Sequence, residues 1–347
     1  MRFAFTPEQE MIGEAARQLF ADHAASERTR MTMASDGFDR DLWHAFAREL
    51  GLAGTAIPEE QGGVGLGLTE LAIVTEAAGR HVAAIPLIAS LGLVAPALLA
   101  GGTADQQTRW LPRLVSGDAV AAWAEVPDAR SADGTLSGTA PLVAHGAVAD
   151  IFVVISDAGA WVVERGPGVS LVPQVSMDQT RPLARLVFDQ APAQPLADPT
   201  AARAAAERWG WALIAADALG GAQACLDRTA AYACEREQFG RAIGTFQAVK
   251  HALADVAIAV EQARSAVYWA AAEPDDALAA HAAKAVACQA YSDAAAAMIQ
   301  LHGGVGFTWE HDAHLFFKRA RADHSWLGTP EWHLDRVAAL MPLDDAA

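Results

Sequence analysis

The spacing of apolar residues changes twice along this chain, and this change constrains the fold more than any other feature. Up to about residue 117, and again from about residue 199, apolar residues recur with the three-to-four-residue period of amphipathic helices. Between these regions, short runs rich in valine and isoleucine alternate with turn signals. The pattern predicts an α+β protein with an N-terminal helical domain (1–117), a middle antiparallel β domain (118–195) and a C-terminal four-helix bundle (196–347).

The N-terminal region contains two clear helix signals. Thr6-Pro7-Glu8-Gln9 has the pattern of a capping box with proline at the first helical position. A second helix is predicted over about 41–50, because a glycine follows its last apolar residue. Residues 83–100 are apolar nearly all round, which predicts a core helix; two internal prolines and closely flanking charges argue against a membrane span.

The middle and C-terminal regions divide into shorter predicted elements. Strands are predicted at 119–125, 151–155, 161–163, 168–172 and 186–188, with turn signals at Asp133-Gly134, Ser137-Gly138 and 157–159. The helices of the bundle are predicted at about 200–233, 244–272, 275–301 and 330–341.

Composition narrows the classes of partner. The formal net charge of −17 argues against nucleic acid and against anionic membranes. Cys225, Cys234 and Cys288 lie in helix-like sequence without a CxxC pair, which favours buried, reduced thiols over a disulfide framework or a zinc site. A basic start followed by a long apolar run is not present at the N-terminus, so we expect a cytoplasmic protein.

The glycine-rich run at 62–67, GGVGLG, is a weak signal for nucleotide binding. It does not match the GxGxxG pattern of dinucleotide-binding folds, and it follows a helix rather than a strand. We therefore interpret it as a loop between helices.

Two later segments contain groups suited to a phosphate-bearing ligand. Arg236 offers a planar fork of donors, and Gln238 and Phe239 add an amide and an aromatic face. Further along the chain, the adjacent glycines Gly303-Gly304 follow a predicted helix and let a ligand approach the backbone closely. Taken alone, each segment fits a helix junction better than a binding site.

Taken together, these segments resemble the C-terminal signature of the acyl-CoA dehydrogenase family. The residues that carry the resemblance are Arg236-x-Gln238-Phe239-Gly240, then Phe246-Gln247, then Gln300 with Gly303-Gly304. Further family-like segments are PEEQGG at 58–63, RWLP at 109–112 and DQTRPL at 178–183. The resemblance covers the whole chain, and the helix–strand–helix order matches the family's architecture.

The resemblance implies a flavoenzyme assembled as a dimer of dimers. In such enzymes the isoalloxazine ring of each FAD lies in one subunit, while the neighbouring subunit holds its pyrophosphate and adenosine. The residues that match this second, trans-acting set are Arg236, Gln238, Phe239, Phe246, Gln247, Gln300, Gly303 and Gly304. The other implied partners are an acyl-CoA substrate and an electron acceptor such as an electron-transfer flavoprotein.

The segments that would face the flavin and the substrate depart from the family pattern. The family's Thr-Glu-Pro-Gly-x-Gly-Ser-Asp loop is replaced by AEVPDA at 124–129, and its Trp-Ile-Thr/Ser strand aligns with Leu142-Val143-Ala144. The position of the usual catalytic glutamate holds Leu327, and the earlier position used by a minority of members holds Gly210. Neither residue can remove a proton, so no catalytic residue is assigned.

This combination resembles the base-lacking subunit of the heteromeric α2β2 acyl-CoA dehydrogenases of steroid side-chain degradation, which implies that the chain completes the FAD site of a catalytic partner. Two alternatives are a homo-oligomeric enzyme with a relocated base, such as Glu331, and a flavin-free structural or acyl-CoA-binding relative. The carboxylates Glu310, Asp312 and Asp323 are also candidates for a relocated base, but carboxylates at a helix junction are usually solvated. The histidines His302, His311, His314 and His324 cluster in the same region. Their spacing does not match a metal-ligand set, so no metal site is predicted.

Overall fold

The computed structural model describes residues 4–341, whose contacts group into two units. The first unit comprises the chain up to Leu71 together with Ala84–Gly210, and the second comprises Ala72–Ala83 with the chain from Trp211 onward. The three-domain division at 117 and 195 remains a prediction. The predicted class, with N-terminal helices, a central sheet and C-terminal helices, is confirmed.

The first unit begins with helices whose starts follow local sequence signals. Its helices are α1 (Pro7–His23), α2 (Ser26–Met33), α3 (Arg40–His44), the start of α4 (Leu68–Arg80), α5 (Ala95–Gly101), α6 (Ala104–Val115) and the start of α7 (Pro199–Glu235). The predicted capping box of α1 is present, because the Gln9 N–H donates to Thr6 Oγ1 at 3.2 Å and the Thr6 N–H donates to Gln9 Oε1 at 3.0 Å. A local signal was sufficient at this position.

Two predicted helices differ from the expected form. The helix predicted at 41–50 is α3 followed by a π-helical turn over Ala45–Glu49, and it stops before Gly51, whose φ is 66°. The helix predicted at 83–100 is a π-helix over Ile88–Val94 that continues into α5. It starts late because Pro86 disfavours helical backbone at the residue before it, and it is buried as predicted.

The sheet of the first unit is mixed rather than wholly antiparallel. Its strands are β1 (Ala121–Glu125), β2 (Arg130–Ala132), β3 (Thr135–Ala144), β4 (Ile151–Ser156), β5 (Gly159–Glu164), β6 (Val169–Gln174) and β7 (Leu183–Pro195). The order is β1-β4-β5-β7-β3-β2, with β6 also paired to β7. The pair β1–β4 is parallel, whereas the other pairs are antiparallel.

The segment before β4 was only partly predicted. The turn at Asp133-Gly134 is confirmed, with φ values of 50° and 74° between β2 and β3. The turn predicted at Ser137-Gly138 is wrong, because both residues lie inside β3. Gly138 lies at a register shift in the β3–β7 pairing, and a Cβ added there would come within 2.5 Å of Val126 Cγ1.

The second unit contains one helix more than predicted. Besides the end of α4 and most of α7, it holds α8 (Gln247–Ala272), α9 (Ala277–His302), α10 (Ala313–Ser325) and α11 (Pro330–Leu340). The predicted four-helix bundle omitted α10, whose many charged and histidine residues hide its apolar stripe. A short hairpin, β8 (Glu237–Gln238) and β9 (Arg241–Ala242), separates α7 from α8.

Buried polar contacts fix the end of α4 to the helices of the second unit. Arg319 pairs with Asp217 at 3.2 Å and also donates to the Ala83 carbonyl at 3.1 Å. Arg264 pairs with Glu76 at 2.7 Å. Because both partners of the first pair are almost fully buried, removing either one would leave an uncompensated charge.

The cysteines are only partly as predicted. Cys225 and Cys288 are buried, and burial raises the pKa of both thiols, to about 11 for Cys288. Cys234 is exposed near the end of α7, so the prediction of a buried thiol is wrong at this position. Across residues 4–341, none of the helices combines the length and the apolar character needed to cross a membrane.

Candidate functional site

The hairpin that follows α7 presents the first set of predicted ligand-binding residues. Arg236 leads into it, with its N–H bonded to the Tyr232 carbonyl at 2.8 Å and its carbonyl accepting from the Ile243 N–H at 2.8 Å. Gln238 then pairs with Arg241 across the two strands. The side chains of Arg236 and Gln238 are exposed. Gln238 Nε2 donates to the Glu237 carbonyl at 2.9 Å, which holds this amide against the hairpin backbone.

Phe239 is held at the tip of this hairpin in an unfavourable conformation. Its φ is 56° and that of Gly240 is 77°, as in the two-residue turns that connect tightly paired strands. Such turns prefer asparagine, aspartate or glycine, and a bulky residue with positive φ is an outlier. The Phe239 side chain is also 91% exposed. An exposed, strained aromatic residue is typical of a contact surface.

The start of α8 adds a second group of predicted residues. Phe246 occupies the N-cap position of α8, where its side chain cannot accept from the first N–H groups. Its ring meets Phe239 at 6.1 Å between centroids and carries the Arg241 guanidinium 4.1 Å from its centroid. Gln247 is exposed in the first turn, 2.8 Å from His251 Nε2. A helix start of this kind favours an anion.

The double glycine lies at the end of α9, after the exposed Gln300. Gly303 has a φ of 62°, which ends the helix, and a 3-10 turn follows over Gly303–Phe307. Among the described residues, a Cβ added to Gly303 or Gly304 would have no atom within 4 Å. Both glycines therefore leave open space beside the backbone, as a closely approaching ligand requires.

One aromatic contact brings the hairpin and the double glycine to the same part of the second unit. The Tyr232 ring stacks on His302 at 4.2 Å, and its hydroxyl donates to the His302 carbonyl at 3.5 Å. The hairpin starts shortly after Tyr232, and Gly303 directly follows His302. The structure thus places the ends of both predicted segments side by side.

The position that the resemblance assigns to the catalytic glutamate is held through backbone carbonyls in this structure. Leu327 has a φ of 56°, and its carbonyl accepts from Trp211 Nε1 and His333 Nε2, each at 3.1 Å. Lys284 Nζ donates to the neighbouring carbonyls of Asp323 at 2.8 Å and Gly328 at 3.0 Å. Buried donors from three helices therefore hold this segment through its backbone.

A pair of buried histidines completes this cluster. His281 Nδ1 and His333 Nδ1 are 2.7 Å apart. Because a carbonyl only accepts, His333 Nε2 carries a proton toward Leu327, so its Nδ1 accepts from His281 Nδ1–H. Burial lowers the pKa of His281 to about 4 and that of His333 to about 3, so both rings are neutral at pH 7. The rings of Trp211 and Trp332 surround them.

The sequence contained no signal for this cluster. His281, His333 and Trp211 belong to three different helices, and their spacing matches no motif. The nearby carboxylates weighed as substitutes serve other contacts: Asp312 pairs with Arg228 at 2.9 Å, and Asp323 is fully buried. Glu331 is exposed, and hydrogen bonds from its own backbone and from Thr329 lower its pKa.

Glu207 is a carboxylate that sequence reasoning missed. It lies on α7 in the first unit, three residues before Gly210, and is 3.6 Å from Arg203. Burial, reinforced by the charge of Glu125, raises its pKa despite the opposing effect of Arg203. A raised pKa is one property that a general base needs, which makes Glu207 a candidate for that role.

Two of the four histidines noted from the sequence contact each other. The His302 ring stacks on Tyr232 at 4.2 Å and meets the tilted His311 ring at 4.5 Å between centroids. His314 contacts Trp309, and burial lowers the pKa of His324. Within the described residues, no three His, Cys, Asp or Glu side chains converge as metal ligands do.

Comparison with known proteins gives the same family across nearly the whole chain. Residues 6–118 match the model of the acyl-CoA dehydrogenase N-terminal domain, and residues 200–341 match that of the C-terminal domain. Acyl-CoA dehydrogenase IpdE2 of Mycobacterium tuberculosis is 40% identical, covering 95% of this chain and 96% of that protein. The IpdE2 of Mycolicibacterium smegmatis is 34% identical, covering 96% of this chain and 98% of that protein.

Solved structures with the same fold are also similar to this chain. The ChsE4-ChsE5 complex from Mycobacterium tuberculosis superposes with a TM-score of 0.92 at 28% identity, covering 100% of both chains. A variant of the Tcur3481-Tcur3483 steroid ACAD superposes with a TM-score of 0.88 at 33% identity, covering 96% of this chain and 97% of that one. The fold and the matches to both domain models show that the chain belongs to the acyl-CoA dehydrogenase family.

Proposed function

We propose that this chain is a subunit of an FAD-dependent acyl-CoA dehydrogenase and supplies the trans half of the FAD site to a homologous catalytic subunit. FAD is the cofactor of the family, and it accepts the β-hydride when an acyl-CoA is desaturated. One observation carries the proposal. The base position holds Leu327 within a cluster of neutral, buried donors, while the hairpin and the double glycine leave an open surface.

The residues of this open surface suit the pyrophosphate and adenosine of FAD. Arg236 and Gln238 offer exposed donors, and the start of α8 provides N–H groups favourable to a phosphate. Gly303 and Gly304 leave room for close approach to the backbone. Arg236, Gln238 and the backbone at the double glycine would bind and orient the cofactor, and they take no part in proton transfer.

The part of the chain that would face a flavin of its own lacks comparable groups. Leu142 is an exposed aliphatic residue, and Val143 and Ala144 are buried. Asp128, in the segment that replaces the family's flavin loop, accepts from the Thr139 N–H at 2.9 Å and so serves the sheet. With neither an aromatic face nor a hydroxyl donor at 142–144, the flavin ring is better held by a partner subunit.

The structural relatives support a heteromer and suggest a substrate class. One is a complex of two differently named subunits, and another is described as a steroid ACAD. We therefore infer an α2β2 assembly acting on a bulky acyl-CoA, such as one derived from a steroid side chain. A further relative at 26% identity is described as an electron transferring flavoprotein, and we expect such a flavoprotein to accept the electrons.

Co-purification with a homologous catalytic subunit tests the proposal. We expect the yellow colour of bound FAD only when both chains are present, with two flavins per four chains by absorbance. A chain that alone retains one FAD per subunit and oxidises acyl-CoA would refute it. A complex that forms without flavin would instead favour a flavin-free structural role.

Arg236→Ala tests the cofactor contact directly. Loss of a charge-assisted hydrogen bond costs about 1.5–3 kcal/mol, so FAD should dissociate from the complex roughly 10- to 100-fold more readily. Arg130→Ala, at an exposed arginine on β2, is the matched control and should leave FAD retention unchanged. Equal retention in both variants would remove Arg236 from the site.

Glu207 lies on α7 about one helical turn before Gly210, and this position, together with its raised pKa, favours a second candidate, a homo-oligomeric dehydrogenase with a relocated base. The exposed Glu331, with its lowered pKa, fits that role less well. Glu207→Gln separates the two candidates by acyl-CoA oxidation. In the heteromer we expect activity to stay within about twofold of wild type, whereas a base would lose orders of magnitude in kcat.

A further inference from the structure

Three large apolar side chains are exposed directly after the double glycine. Val305 is 44% exposed, Phe307 82% and Trp309 64%. Single exposed apolar residues are common on protein surfaces, but three of them within five residues of one loop indicate an interaction site. We call these three residues the anchor patch.

The Trp309 ring is held in place before any partner binds. Lys318 Nζ lies 4.1 Å from the ring centroid, and the His314 ring packs against it at 4.7 Å with an interplanar angle of 65°. His314 Nε2 also donates to the Trp309 carbonyl at 3.4 Å. A ring already fixed in position loses little conformational entropy when a partner covers it.

Side-chain contacts hold both ends of the loop that carries the anchor patch. His302, immediately before it, stacks on Tyr232 and also contacts the tilted His311 ring. Asp312, immediately after it, pairs with Arg228 at 2.9 Å. Both contacts are made by residues near the end of α7, Tyr232 and Arg228. The loop with the anchor patch is therefore attached close to where the hairpin begins and where the double glycine lies.

We propose that Phe307 and Trp309 are the hydrophobic anchors that seat the catalytic partner subunit on this chain. The inference rests on the proposed function, in which that subunit shares an FAD bound beside Gly303 and Gly304. A subunit reaching an FAD at this position must also cover the residues that follow the glycines. Large aromatic residues, tryptophan above all, are frequent energetic centres of such interfaces.

The partner surface that fits has a defined chemistry. It presents an apolar pocket that takes the two rings, with polar groups only at its rim. A second copy of this chain is the competing occupant, and the measurements below separate it from the catalytic subunit.

The test uses the purified chain and its catalytic subunit. Phe307→Ser and Trp309→Ser should each weaken subunit association about 30-fold or more, measured by surface plasmon resonance with saturating FAD. Thermal unfolding of each isolated variant should match wild type, because the rings are exposed. Trp269→Ser, at an exposed tryptophan on α8, is the control and should leave association unchanged.

The outcomes are distinguishable. If the wild-type chains form an FAD-containing complex and both serine variants bind equally well, the anchor proposal is overturned while the proposed function stands. If the isolated wild-type chain self-associates and the variants lose only this self-association, the patch binds a second copy and the proposal is again overturned. If the wild-type chains form no complex, the proposed function is overturned, and the anchor proposal is overturned with it.

Discussion

Acidification should destabilise this protein through the buried pair His281–His333. Both rings are neutral in the folded chain, with pKa values lowered from 6.5 to about 4 and about 3 by burial and by the charges of Lys284 and Arg336. The unfolded chain therefore binds more protons than the folded chain between these values and 6.5. Stability is fully present above pH 6.5 and falls as the pH drops below it.

The magnitude follows from the pKa difference. At pH 5 an unfolded histidine is about 1.5 pH units below its pKa, so each ring costs about 2 kcal/mol of stability relative to pH 7.5. The pair together accounts for about 4 kcal/mol, a large share of the ~5–15 kcal/mol typical of a folded domain. The folded His281 ring gains a proton below about pH 4 and the folded His333 ring below about pH 3, so the loss levels off only there.

Urea denaturation at pH 7.5, 6 and 5 measures this effect. His333→Gln keeps a donor toward the Leu327 carbonyl but cannot titrate, so its stability should fall by about 2 kcal/mol less than wild type over that range. His44→Gln, at an exposed histidine of α3, is the control and should keep the wild-type pH dependence. A His333→Gln variant with an unchanged pH dependence would refute the assignment of neutral, buried rings.

Two further variants test Phe239, which has a positive φ, and Lys284, which is buried and bonded to two carbonyls. Phe239→Asn should raise the stability of the isolated chain by about 0.5–1 kcal/mol in urea, since asparagine tolerates positive φ, yet should weaken FAD retention in the complex; unchanged retention would exclude a ligand contact. Lys284→Met should destabilise the chain by about 2 kcal/mol because two buried carbonyls lose their donor, and hydrogen exchange should accelerate at residues 326–329; full protection there would contradict the contact.

The elements predicted correctly are those set by local sequence. The capping box at Thr6 and the turn at Asp133-Gly134 depend on a few adjacent residues, and both are present. The parallel pairing of β1 with β4 was not predictable, because it depends on residues about 30 positions apart in the chain. Local turn signals also misled at Gly138, where glycine serves a register shift inside a strand.

In the candidate site, too, residues of short local motifs were predicted and contacts between distant residues were not. Arg236, Phe239 and the double glycine were recognisable because each belongs to a short motif. The strain at Phe239 and the open space at Gly303 became visible only with backbone geometry. The cluster around His281 had no signal, because helices far apart in sequence bring its members together.

Phe239 and Leu327 show why the missing base is not an isolated substitution. Both are non-glycine residues with a φ of 56°, a conformation that requires compensation from the surroundings. At Leu327 the compensation is internal, since the carbonyl turns toward two buried donors. At Phe239 the ring stays exposed, so any compensation has to come from outside the isolated chain. An internally held Leu327 segment beside a strained, open turn at Phe239 is what the proposed heteromer predicts, since there a second subunit would complete the site.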